Sequence, residues 1–178
     1  MSLQRKVILY IAMSLDGYIA KPGDDISFLS MVEQEGQDYG YASFTAETDT
    51  VIWGRRTYDK VLSFGIEIPH RDKQVFVITR TPRPPKGNII FYTGKLRQLI
   101  EQLKTQDGKH IYIDGGAELV NELLKENLID EFYISVIPIL LGEGISLFKP
   151  GRSETELKLR SAKSFEKGLV QLHYIRSN

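Results

Sequence analysis

Ile111-Tyr112-Ile113-Asp114-Gly115-Gly116-Ala117-Glu118-Leu119 constrains this chain more than any other stretch. It reads as an apolar strand that runs through a glycine pair straight into a helix. Such a junction points to an α/β arrangement, because strand and helix must share one core across a sharp turn. It also has a chemical consequence. Two glycines let bare backbone approach a bulky group and adopt dihedrals closed to other residues. The helix that follows points free N–H groups and the positive end of its dipole at the same space. A phosphate binds there without a dedicated side chain. The plain alternative is a tight turn that binds nothing.

The rest of the chain repeats the alternation. Residues 6–12 (KVILYIA) read as a buried strand, and 18–20 are short and extended. Further strands are predicted at 50–53 (TVIW), 74–79 (QVFVIT), 88–92, 110–114 and 130–137 (DEFYISVI). Helices are predicted at 54–62, at 95–105 with Leu96, Leu99, Ile100 and Leu103 on one face, and at 117–126. Residues 26–48 read as mostly helical, interrupted near Gly36 and Gly40. Strands at 156–165 and 169–176 flank Glu166-Lys167-Gly168, a hairpin signal. The expected fold is α/β, one domain of 178 residues with a mostly parallel central sheet, helices on both faces and a C-terminal antiparallel hairpin.

Composition narrows the function. There is no cysteine, which removes disulfides, thiolate metal sites and a cysteine nucleophile. Lys plus Arg (23) equals Asp plus Glu (23), so no basic excess announces nucleic acid or a membrane surface. Apolar runs are strand-length, and the amino-terminal segment has no leader pattern, which makes the cytoplasm the expected compartment. His70, His110 and His173 are scattered without metal-ligand spacing and are expected to be structural or exposed, with no metal bound. No G-x-G-x-x-G follows the first strand and no Walker A sequence occurs.

Two further strand ends carry anion-seeking groups. Gly54-Arg55-Arg56-Thr57 follows a strand and opens a helix, so its guanidinium forks and hydroxyl could meet a phosphate. Thr79-Arg80 stands just past another strand. Open α/β sheets bind ligands at the carboxyl ends of their strands, so three such ends are more informative than one. Ser14-Leu15-Asp16-Gly17 is an ordinary turn by composition, and its functional reading places Asp16 in a cleft facing substrate or its proton. Glu143, in the glycine-broken segment Leu141-Gly142-Glu143-Gly144, belongs to a flexible loop or a substrate gate.

AMSLDGYIA, VIWGRRTYDKVL, FVITR, IYIDGGAELVNELL and IDEFYISVIPILLGEGISLF, in that order, resemble the dihydrofolate-reductase-like fold. The branch most resembled is the reductase domain of bifunctional riboflavin-biosynthesis deaminase-reductases. The resemblance implies an NADPH-dependent reductase of a small heterocyclic or ribosylamino-pyrimidine substrate, like 5-amino-6-(5-phosphoribosylamino)uracil reductase, working as a homodimer. It implies that Ala12 and Ile19 line the nicotinamide. Gly54, Arg55, Arg56 and Thr57 would hold phosphates and the adenosine side, and Thr79 and Arg80 the adenosine 2′-phosphate. Gly115, Gly116, Ala117, Glu118 and Leu119 would seat the pyrophosphate, with a cis peptide between the two glycines. Dihydrofolate reductases carry an acid on the helix after the first loop. By spacing that position falls near Gly40 here, and Asp38 is the nearest acid.

Asp16 is accordingly the expected catalytic residue. Asp16, Asp38, Tyr41, Phe44 and Glu143 are the expected substrate-side residues, the aromatic ones serving equally well as core. A folate or pterin reductase, a cofactor-binding protein without turnover, and a purely structural domain are the alternatives.

Overall fold

A computed structural model describes residues 4–177 of the chain. Its strands alternate strictly between two apolar faces. On β1 (Val7–Ser14), Val7 and Leu9 face one core while Ile8 faces the other. On β3 (Thr48–Gly54), Ile52 is opposed by Val51 and Trp53. On β4 (Gln74–Ile78), Phe76 is opposed by Val75 and Val77, and on β6 (His110–Gly115) Ile111 and Ile113 are opposed by Tyr112. This period of two, apolar on both sides, is what a sheet covered on both faces requires. Helices α3 (Leu96–Thr105) and α4 (Ala117–Lys125) cover the first face, and α1 (Tyr41–Ala46) and α2 (Arg55–Ser63) cover the second.

With β5 (Ile89–Tyr92), β7 (Glu131–Ile137), β9 (Leu157–Ser164) and β10 (Val170–Arg176), these strands make one sheet of order β5-β4-β3-β6-β1-β7-β10-β9. The pairs from β5 to β7 are parallel, and β10 is antiparallel to both β7 and β9. The mostly parallel sheet with a closing antiparallel hairpin is therefore as expected. The chain leaves β1, builds outward through β3, β4 and β5, then returns to insert β6 between β3 and β1. That reversal opens a crevice at the carboxyl ends of the central strands. Arg5 anchors the opposite end of the sheet. Its buried guanidinium donates to the carbonyls of Lys109 (2.6 Å) and Leu103 (3.0 Å), to Thr50 Oγ1 (2.8 Å) and to Asp49.

Residues 26–48 depart from the expected helix. Only Ser27–Val32 (a 3₁₀ turn) and Tyr41–Ala46 are helical. Between them Gly36, Tyr39 and Gly40 take positive φ (73°, 57° and 84°), which an α-helix cannot contain. The apolar residues that mimic a helical pattern pack separately. Phe28 and Val32 join Ile137 and Leu169 in a small third core, while Phe44 joins the α1–α2 face. The segment thus lies across the sheet end as a strap. A second small sheet also forms, pairing β2 (Tyr18–Ala20) with β8 (Ile145–Ser146). A two-residue strand leaves no periodicity to read, so β8, just past the expected loop at 141–144, was not anticipated.

Candidate functional site

The carboxyl ends of the central strands open into a cleft of about 1690 Å³. Sites for a single drug-sized ligand run to roughly 1,000 Å³, so this one has room for a large ligand and a second molecule beside it. Its floor is backbone. The peptide between Gly115 and Gly116 is cis. A Cβ at Gly54 would stand 3.4 Å from the Gly116 nitrogen, and one at Gly116 would stand 3.1 Å from Thr57 Oγ1. The ends of β3 and β6 therefore approach so closely that a side chain on Gly116 would press into the cradle. Gly116 and the amino end of α4 border the cleft, and Ala117, Glu118 and Leu119 stand with them. Glu118 is exposed while Leu119 is core, so what these residues turn toward the cleft is mainly N–H groups. Ala12 and Ile19 line the same cleft from β1 and β2.

Arg55, Arg56, Thr57, Thr79 and Arg80 all border the cleft, with differing freedom. Arg55 Nε lies 2.8 Å from Asp59 Oδ2, and Arg56 Nη2 lies 3.1 Å from Asp24 Oδ2. Thr79 is buried, and its Oγ1 accepts the Thr81 N–H at 3.1 Å, so this hydroxyl shapes the turn. Arg80 and Lys95 are exposed on the cleft and make no ion pair among the described residues. Lys95 precedes α3, where the predicted helix start concealed its position on the cleft.

The substrate side corrects several expectations. Asp16 does not line the cleft. Its carboxylate accepts the Ser14 hydroxyl (2.6 Å) and the N–H groups of Leu141 (3.1 Å) and Gly142 (2.8 Å), and those bonds, the Ser14 one first, hold its pKa below the usual carboxylate range. Such an acid is ionised and tied to backbone, so it pins a loop and is a poor proton donor. Asp38 accepts the N–H groups of Gly40 and Ala42, each at 2.9 Å, which caps α1 and lowers its pKa in the same way. Phe44 is buried and stacks on Tyr10 with centroids 4.5 Å apart, so it is core. Glu143 is exposed and stands outside the cleft lining. Tyr41 does line the cleft, and burial, then the charge of Asp114, push its phenol up to about 12.

Asp114 was absent from the expected site residues, and it is a half-buried carboxylate that borders the cleft. Trp53 Nε1 donates to its Oδ2 and the Tyr112 hydroxyl donates to its Oδ1, both at 2.6 Å. His70 Nε2 stands 3.6 Å from Oδ2 on a side chain 6% exposed, so His70 is buried against the site. Each carboxylate oxygen keeps a further lone pair for a donor arriving from the cleft. A sequence signal existed: an acid at the end of an apolar strand, and a core tryptophan whose N–H needs a partner. A smaller chamber of about 630 Å³ adjoins the cleft and shares Tyr10, Ala12, Leu29 and Tyr41 with it.

A family model described as the RibD C-terminal domain matches residues 5–171. The uncharacterized protein YwjB of Bacillus subtilis (strain 168) is 45% identical over 176 residues, covering 98% of this chain and 100% of the relative. A solved structure from Shewanella sp. PV-4, assigned to riboflavin biosynthesis, superimposes with a TM-score of 0.88 at 33% identity, covering 100% of both chains. Dihydrofolate reductase from Enterococcus faecalis, complexed with NADP(H) and RAB-propyl, superimposes with a TM-score of 0.67 at 18% identity, again over 100% of both chains. The last is a likeness of fold, and the fold of this chain is dihydrofolate-reductase-like.

Proposed function

The chain belongs to the RibD C-terminal domain family, and on that premise we propose that it is an NADPH-dependent reductase of a small heterocyclic substrate. The observation that carries this reading is the convergence of the Gly54–Gly116 cradle, the amino end of α4 and the unpaired cations Arg80 and Lys95 on one cleft. The enterococcal reductase of the same fold is complexed with NADP(H), which supports the cofactor. Gly54, Thr57, Gly116 and the N–H groups of α4 would hold its pyrophosphate. Arg80 and Lys95, with Arg55 and Arg56 if their carboxylate partners yield, would hold the 2′-phosphate, because a guanidinium fork matches a phosphate. Ala12 and Ile19 would line the nicotinamide. The cofactor, when bound, supplies a hydride to an electrophilic carbon of a C=N or C=O group.

The protein's own part is to orient the two molecules and to answer charge at the substrate. Asp114 takes the role that Asp16 and Asp38 cannot take. It accepts a substrate N–H or O–H, while Trp53 and Tyr112 hold it in one orientation. A folate-type reduction is the weaker reading, since Asp38, the acid at the start of α1, caps that helix. Titration of intrinsic fluorescence with NADPH and NADH tests the proposal. NADPH should bind more tightly, and Arg80→Ala with Lys95→Ala should remove that preference. Binding without oxidation across pteridines and ribosylamino-pyrimidines would favour a cofactor-binding protein without turnover. Failure to bind either nucleotide would sink both. We propose a homodimer formed through β9 and β10, supported by the exposure of Leu157 (37%) and Leu159 (54%) on the edge strand, and the cytoplasm as the compartment.

A further inference from the structure

Cleft and chamber differ in charge. Arg80, Lys95 and Lys149 are among the cations that border the cleft, and Glu101, Glu118 and Glu122 border it too. The strap, residues 26–48, contains four carboxylates, Glu33, Glu35, Asp38 and Glu47, and no lysine or arginine. Beneath the strap lies the chamber of about 630 Å³, whose walls are mostly apolar, with Leu29, Val32, Ile137 and Leu169 beside Tyr10, Tyr39 and Tyr41, and Gln34 and Gln37 also lining it. Glu33, Glu35 and Asp38 stand at its rim, all exposed, and no cation lines it. Lys167 comes near, but it bonds the Glu33 carbonyl and follows Glu166, which accepts from Gln34. One polar group is buried in the chamber. Ser135, 5% exposed, accepts Gln171 Nε2 at 3.3 Å, and its own hydroxyl hydrogen meets no acceptor among the described residues.

We infer that the chamber receives the trailing substituent of the substrate, and that this substituent carries no phosphate. It is neutral or cationic, apolar in its body, with a hydrogen-bond acceptor for Ser135. A phosphate dianion here would leave water for apolar walls that offer it no N–H from lysine or arginine. It would also face like charge at the rim. A phosphoribosyl group therefore fits this chain poorly, although the family resemblance implies one. The inference rests on the reductase reading in treating the cleft as the substrate site. It goes further by fixing the charge class of what enters.

Three matched probes test it: 2,4-diamino-5-benzylpyrimidine, its para-aminomethyl derivative and its para-phosphonomethyl derivative. Each is titrated calorimetrically into the full chain, with and without NADPH. The amino core suits Asp114, and only the tail charge varies. The phosphonate should bind at least about tenfold more weakly than the neutral probe, and the aminomethyl probe at least as tightly as the neutral one. Glu33 and Glu35 carry exposed side chains without hydrogen bonds among the described residues, so the double variant E33Q/E35Q should stay folded. It should bring the phosphonate to within about threefold of the neutral probe, with NADPH affinity unchanged. A phosphonate that binds as tightly as the neutral probe, a gap that E33Q/E35Q leaves intact, or no binding by any probe would overturn the inference. Retained probe order with no NADPH binding would uphold the chamber's selectivity and sink the cofactor reading alone.

Discussion

At the scale of single residues, the site depends on groups whose roles depend on distant partners. Gly116 is one such group. An alanine there would stand 3.1 Å from Thr57 Oγ1 at the mouth of α4. Gly116→Ala should weaken NADPH about tenfold, ~1.4 kcal/mol, while circular dichroism shows the fold kept. Asp114→Asn leaves one acceptor where Trp53 and the Tyr112 hydroxyl now find two. An unmatched buried donor costs about 1–3 kcal/mol, so urea denaturation should show a loss of that size together with weaker substrate binding. Asp16 makes a pH prediction. Its folded pKa is depressed, so its contribution is complete above the ordinary carboxylate value of ~4 and is lost as pH falls through the lower folded value. Protection of the Leu141 and Gly142 N–H groups against hydrogen exchange, relative to the free-chain rate at each pH, should therefore hold steady through mildly acidic pH and fall below it. Asp16→Ala should show the low protection across the whole range.

Between residues and molecule stand α4 and the 145–149 segment. Asn121 is buried in α4, donates to the carbonyls of Ala117 and Leu147, and accepts the Lys149 N–H at 2.8 Å. It ties the helix that borders the glycine cradle to the strand that pairs with β2. Asn121→Ala would leave the Leu147 carbonyl and the Lys149 N–H without partners, a loss of about 2 kcal/mol in urea denaturation. The helix itself was legible: Leu119, Val120, Leu123 and Leu124 recur at helical spacing and all four are buried. The strap was not. Its apolar residues have the same spacing as a helix, but Gly36 and Gly40 and the bonds from Asp38 to Gly40 and Ala42 break it into pieces.

For the whole molecule, the open edge of β9 bears on assembly. The proposed dimer predicts twice the chain mass by light scattering, and Leu159→Glu should return a monomer that still binds NADPH. The contrast in charge between cleft and chamber is a property at this scale too. Arg80, Lys95 and Lys149 come from three separate stretches and border the cleft, while Glu33, Glu35 and Asp38 come from one segment and border the chamber. No span of sequence shows that the two spaces adjoin.

The sequence by itself determined the alternation of strands and helices, the two-sided burial of the sheet and the glycine pair at its centre. These rest on local periodicity and on the freedom peculiar to glycine, which travel with the residues. Tertiary structure alone decided that Asp114 borders the cleft and Asp16 does not. Asp16 meets the N–H groups of Leu141 and Gly142 more than a hundred positions away. Asp114 gains its orientation from Trp53, 61 positions earlier in the chain. A carboxylate's task follows from the donors that surround it, and only the folded chain brings those donors together.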